Sequence, residues 1–214
     1  IMGIALCLNA FIIKIPGLNI INSFYITLII AIPLGLLKVF KRNIFVHNIT
    51  ELMIYPGIAT VFIPLLSIWT VVFLLIIISL YDMWAVWHAG FMQKMAKYQI
   101  EKLKIFSGFF VPYLGKKERE LVRNAKRSNT MEKLKKKKIK VNVAILGGGD
   151  VVFPIILAGV VLNAMGFLQA LIISIGATVA LSFLFYISKK GKFYPAMPFI
   201  SIGCLIALGI AYLI

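Results

Sequence analysis

Of the seven acidic residues in this 214-residue chain, four stand in one basic stretch, and Glu51, Asp82 and Asp150 lie outside it. Asp82 and Asp150 are each set in an apolar run long enough to cross a membrane, Ile68–Met92 and Val141–Asn163. A carboxylate at bilayer depth costs roughly 2.5–3.5 kcal/mol even on lenient insertion scales, so function is the first explanation to consider. Asp82 sits about 10 residues before the end of its run and Asp150 about 10 residues after the start of its own, each about 15 Å of helix from the same membrane face, so the two share one level. Two carboxylates that meet in a medium of low dielectric tend to hold one proton between them. That state suits hydrolysis. One group takes a proton from water while its protonated partner polarises a carbonyl and later protonates a leaving amine.

The backbone around Asp150 is unusual. Gly147, Gly148 and Gly149 precede it, and Pro154 follows and deprives the Asp150 carbonyl of its helical donor. We expect a thin, loosened helix here, tolerable at membrane depth only where protein or water covers it, with room for a substrate backbone to come close. Taken alone, such glycines are a helix-packing patch; beside an aspartate with a level-matched partner, the close-approach reading is the stronger. Further on, Tyr194-Pro195-Ala196-Met197-Pro198 lacks two backbone donors, which on periodicity alone is a proline-marked helix start. His88 follows Asp82 by enough residues to face elsewhere and is read as interfacial, and His47 as a solvated loop residue. Cys7 and Cys204 sit in apolar runs without motif spacing, as small buried hydrophobes. With no HExxH pattern and no ligand partners for the histidines, no metal or other cofactor is expected.

These residues must be held by membrane helices. With 61% hydrophobic residues the chain has too little polar surface to cover them, which excludes a soluble globule. Seven candidate spans follow from the ~20-residue requirement: Ile1–Ile13, Leu18–Leu37, Leu52–Leu65, Ile68–Met92, Val141–Asn163, Phe167–Ser188 and Pro195–Ile214. The third is short, but Glu51–Met92 gives roughly 63 Å of helix, enough for two crossings with a break at Pro64. Charge supports the count. Lys38, Lys41 and Arg42, the stretch Lys94–Lys140, and Lys189, Lys190 and Lys192 all fall on one face, and Lys and Arg collect in cytoplasmic loops. The reading is an all-α, multi-pass bundle in the cell membrane, with basic loops cytoplasmic, Ile1 inside and Ile214 outside. Asn48-Ile49-Thr50 matches a glycosylation sequon but lies on the cytoplasmic side, where a helix cap before Glu51 reads better.

Organisation follows in three parts: a bundle portion over 1–92, a basic segment over 93–140, and C-terminal spans over 141–214. Within the middle part, Phe91–Phe106 has the pattern of a helix lying along the membrane surface. The run Lys116–Lys138 reads as a solvated loop drawn to anionic lipid headgroups, and without interleaved aromatics it does not read as a nucleic-acid patch.

Tyr81-Asp82, Gly147-Gly148-Gly149-Asp150 and Pro195-Ala196-Met197, in this order on three spans, resemble the YD, GxGD and PAL motifs of the presenilin and signal peptide peptidase family of intramembrane aspartic proteases. The likeness covers roughly Glu51–Ile214 and departs at Met197, where the family has leucine; the swap conserves volume. The resemblance implies a nine-span bundle of which this chain holds spans three to nine. It implies Asp82 and Asp150 as the catalytic dyad, Gly147 and Gly149 beside the substrate backbone within the Gly147–Gly149 run, Tyr81 flanking the site and Pro195, Ala196 and Met197 lining it. It also implies transmembrane segments of other proteins as substrates. Short loops and an Ile- and Lys-rich composition suggest a microbial, archaeal member. A helical substrate has to unwind before attack, and strand-like contacts near the PAL region could then hold it. Rival readings are a prepilin or preflagellin type of GxGD peptidase, a proton-coupled transporter or ion pathway using the same acids, and an inactive scaffold. Oligomeric state is not legible.

Overall fold

A computed structural model describes residues 1–13, 20–40, 44–87, 108–113, 142–188 and 194–214. Its described residues form seven helices and a two-stranded ribbon. The order is α1 (Met2–Ile12), α2 (Ile20–Phe40), α3 (Ile44–Phe62), α4 (Ile68–Trp87), β1 (Gly108–Tyr113), β2 (Asn142–Gly147), α5 (Gly149–Ala164), α6 (Phe167–Ile187) and α7 (Ala196–Leu213). A short 3₁₀ turn, Ile63–Leu65, carries Pro64 and separates α3 from α4. Four segments are long and apolar enough to cross a bilayer: Ile44–Leu65, α4, α6 and α7. The surface-helix pattern over 91–106, the basic run over 116–138 and His88 lie outside the described residues.

The bundle is apolar on both its inside and its outside. Leu75, Leu157, Ile173, Ile200 and Cys204 meet in a core shared by α4, α5, α6 and α7. Large side chains such as Phe73, Ile175, Val179 and Ile206 are more than half exposed on the outer faces of the same helices. A surface of that kind is solvated by lipid tails and not by water. Trp69 near the start of α4 and Trp87 at its end both project outward, as tryptophans do at the two membrane boundaries.

Because lipid is as apolar as leucine, helices in this setting associate through close packing. The α6–α7 interface shows it. A Cβ added to Gly176 would stand 2.5 Å from the Ala207 Cβ, and one added to Gly203 would stand 2.5 Å from the Ala180 Cβ. The two backbones touch through these glycines. Two side-chain bonds then tie α4 to α7: one at Asp82, described below, and one in which the Ser201 hydroxyl donates to the Leu75 carbonyl at 3.4 Å.

Three expectations change. The run Val141–Asn163 is not one helix, since residues 142–147 are strand and α5 begins only at Gly149. The three glycines therefore form a strand-to-helix elbow and not a thinned helix, and Asp150 stands in the first turn of α5. The ribbon is antiparallel, pairing Gly108 with Gly147 and Tyr113 with Asn142, so β1 comes from the basic middle segment. Pro112 in β1 is accommodated because a proline is tolerated on an edge strand.

The third change lies at α3, which starts at Ile44, so Asn48, Thr50 and Glu51 are inside the helix and no cap precedes Glu51. The Thr50 hydroxyl instead donates to the His47 carbonyl at 2.8 Å. His47 is likewise helical and not a solvated loop residue, with its Nε2 3.6 Å from Glu51 Oε1. Glu51 is only 1% exposed and accepts a hydrogen bond from Lys38 of α2 at 2.7 Å. This acid is neutralised within the fold. Replacing Lys38 by Met strands the Glu51 carboxylate and should cost on the order of 2 kcal/mol of stability. Thermal unfolding in detergent checks this, with Lys38→Met/Glu51→Gln expected to recover much of the loss.

Candidate active site

Asp82 lies on the inward face of α4 and is 5% exposed. Its Oδ2 accepts a hydrogen bond from the Met197 N–H of α7 at 3.1 Å, and the Ala196 N–H is directed at the same carboxylate. The local sequence explains why these two donors are available. A helix start leaves its first four N–H groups without intrahelical acceptors. In α7 the N-cap is Pro195 and the third helical residue is Pro198, and neither has an N–H. Ala196 and Met197 supply the remaining pair. Pro195, in extended geometry (φ −66, ψ 117), turns the chain into the helix so that both donors face α4. The positive end of the α7 dipole therefore rests on a carboxylate carried by another helix.

Asp150 belongs to a second helix start. Gly147 ends β2, Gly148 is the N-cap of α5, and Asp150 is in the first turn. The side chain folds back over the elbow, so that its Oδ2 is 3.0 Å from where a Cβ on Gly147 would stand, with the Gly147 N–H directed at it. Asp150 lies within electrostatic reach of Asp82. The start of α7 thus caps Asp82, while Asp150 stands in the first turn of α5 beside the end of β2. Among the described residues no cation pairs with either aspartate, whereas Glu51 has Lys38. Backbone N–H groups take the place of a counter-ion.

Gly149 is exposed, and a Cβ there would meet nothing nearer than the Phe153 ring at 3.8 Å, so there is room beside the elbow. Gly148 is different, because its Cβ position is 2.9 Å from the hydroxyl of Tyr55 on α3. Tyr55 was not singled out from the sequence, where it is one aromatic residue in an apolar run. Pro195, Ala196 and Met197 are all buried around the Asp82 end of α7. Tyr81 is not brought to the carboxylates. It is 57% exposed on the outer face of α4, with its ring 6.4 Å from that of Trp84. Among the described residues no three His, Cys, Asp or Glu side chains stand together as a metal site would require.

This geometry agrees with the comparison to known families. The profile of the family described as signal-peptide peptidase, presenilin aspartyl protease matches residues 2–214. The chain belongs to that family. No curated protein and no solved structure matches it significantly. This signal-peptide peptidase and presenilin family member is thus a membrane-embedded chain of the intramembrane aspartyl protease class. Family membership extends over the N-terminal helices as well, which the motifs alone did not cover.

If the donors on Asp82 matter and the Met197 side chain does not, two substitutions will separate them. Met197→Leu keeps the N–H and the volume and should leave proteolysis within about twofold of wild type. Ala196→Pro places a proline at a helix position that favours it while deleting one donor, and should lower kcat by about tenfold or more. Reporter cleavage by the two folded variants is the measurement.

Proposed function

We propose that this chain hydrolyses peptide bonds within transmembrane segments of other proteins, with Asp82 and Asp150 as the catalytic pair. The observation that carries the reading is a buried carboxylate that no cation among the described residues pairs with, capped by the Ala196 and Met197 donors, with a second carboxylate in electrostatic reach. An ion pair would be a structural solution to burying charge; two acids set against each other at helix starts are suited to sharing a proton. One carboxylate then accepts a proton from water as its oxygen attacks the scissile carbonyl carbon, and the partner donates a hydrogen bond to the carbonyl oxygen. Collapse of the tetrahedral intermediate breaks the C–N bond as a proton passes to the leaving nitrogen, giving a carboxylate and an amine.

A substrate helix keeps its amides in its own hydrogen bonds and has to unwind first. Among the described residues β2 pairs only with β1, so its other edge is open to an extended substrate stretch. Because β2 runs directly into Gly147, a strand added there would carry its next peptide bond toward the two aspartates. Gly147 and Gly149 would leave room for that backbone. Tyr81, turned outward, would meet an arriving substrate helix and not the carboxylates. The concentration of basic residues on one side supports a cytoplasmic placement of these loops, in contact with anionic headgroups, and an outside C-terminus.

Purified protein in lipid vesicles, given a single-span reporter, should cleave it, and Asp82→Ala and Asp150→Ala should each lower cleavage at least about 100-fold while remaining folded. Cleavage that persists in either variant would remove the dyad, and a proton pathway without proteolysis would become the better reading. The strand role has its own test. Successive N–H groups of β2 point to opposite edges, so Ala144→Pro and Ile145→Pro should differ. One should weaken the ribbon and lower the melting temperature. The other should leave stability intact and reduce cleavage by about tenfold, since proline removes a donor from the open edge. Unchanged cleavage in both would exclude strand addition at β2.

A further inference from the structure

The two aspartates stand on separate elements, so something must fix where the α5 elbow sits against α4 and α7. We propose that Tyr55 of α3 is the positioning residue that sets Asp150 against Asp82, acting through Gly148. This inference rests on the proteolytic reading of the site for its kinetic consequence, though not for its geometry.

Tyr55 is 3% exposed and touches both arms of the structure that leads to Asp150. Its ring is edge-on to Phe109 of β1, with centroids 5.4 Å apart and planes at 69°. Phe109 pairs with Leu146 of β2, the residue before the elbow. At the elbow itself, the Tyr55 hydroxyl, Cε1 and Cζ are 2.9, 3.1 and 3.2 Å from the Cβ position of Gly148. A Cβ there would force the phenol or the elbow to give way, so Gly148 is seated directly on the phenol. The Gly148 carbonyl in turn accepts from the Val151 N–H at 3.2 Å and the Val152 N–H at 3.0 Å, the first bonds of α5. Movement of Gly148 would therefore move the first turn of α5, in which Asp150 stands.

Tyr55 is itself held. Two residues on, Gly57 meets the backbone of Gly3 on α1 so closely that a Cβ would run into the Gly3 carbonyl. Pro56, between them, removes one N–H from α3 and so loosens the helix at this point. The triplet Tyr55-Pro56-Gly57 thus gives one side of α3 to α1 and the other to the elbow. The chain of contacts runs from α1 through α3 to Gly148 and Asp150, which gives the N-terminal helices a part in the site although they carry none of the three motifs.

The contact predicts a rescue. Gly148→Ala should push the elbow off Tyr55 and lower kcat by about 10- to 100-fold with little change in KM, as expected for misplaced catalytic groups. Tyr55→Phe keeps the ring on Phe109 and removes the nearest atom, so alone it should stay within about threefold of wild type. In the Gly148→Ala background it should restore part of the lost kcat, which a general loss of packing would not do. Tyr55→Ala should lower kcat as Gly148→Ala does.

A second measurement does not need proteolysis. Asp82→Cys/Asp150→Cys, in a chain with Cys7 and Cys204 replaced by Ala, can be cross-linked with a short bifunctional thiol reagent. Adding Tyr55→Ala should reduce the cross-linked fraction at least about threefold, measured well below the lowered melting temperature of this variant, if the elbow has shifted. Tyr55→Ala with wild-type cross-linking would overturn the proposal, as would a Gly148→Ala defect that Tyr55→Phe leaves untouched. A wild-type protein that does not cleave would overturn the proteolytic reading instead, and the cross-linking result would still decide the role of Tyr55.

Discussion

A carboxylate among membrane helices has to be given hydrogen-bond donors or a cation, because lipid tails and apolar side chains cannot solvate it. The fold meets that requirement in two different ways. Glu51 is given Lys38, which holds α2 against α3 and leaves the acid inert. Asp82 is given the bare start of α7, two backbone N–H groups that cannot themselves be titrated or swing away. A lysine in that place would neutralise the acid and fill the space beside it. Backbone donors solvate the carboxylate without adding a side chain beside it. Much else follows from this one contact, since α7 must arrive with its N-terminus at the level of Asp82 and stay there.

The means of keeping α7 in place are those available in lipid. Its face toward α6 is stripped to glycine and alanine, so that Gly176 and Gly203 bring the two backbones into contact over a long interface. Its face toward α4 carries Ser201, whose hydroxyl reaches the Leu75 carbonyl nearly two helical turns away from Asp82 along α4. Met197, Ile200, Cys204 and Ala207 fill the core between these faces. The prolines at 195 and 198 then expose the donor pair and prevent any other N–H of the first turn from competing for the carboxylate. Packing and capping therefore act together, the first setting the helix axis and the second the acid.

The elbow at Gly147, Gly148 and Gly149 does comparable work for Asp150 from the opposite direction. A strand rises about 3.3 Å per residue and a helix about 1.5 Å, so changing from one to the other immediately before the acid places it at a helix start and not along a helix side. A strand that ends at the elbow also keeps backbone hydrogen-bonding groups along its edges, which a continuous helix would use up within itself. The seating of Gly148 on Tyr55 connects this arrangement to α3 and, through Gly57, to α1.

The sequence determined the solvent, the helical class and the two acids. A composition of 61% hydrophobic residues cannot be covered by water, and a carboxylate in an apolar run is conspicuous because its insertion is costly. The proline pair around Ala196 and Met197 was visible too, although its periodicity alone read as an ordinary helix start. Where those donors point and what Gly148 rests on depended on the assembled bundle. The run from Val141 is apolar whether it becomes strand or helix, and short apolar runs have no period that separates the two. Its partner, Gly108–Tyr113, lies in a stretch whose charge concealed it. Tyr55 was hidden for a similar reason. An aromatic residue in a membrane helix is unremarkable until a glycine far along the chain is found against it, and hydrophobic pattern reports which face is apolar, not which neighbour that face will meet.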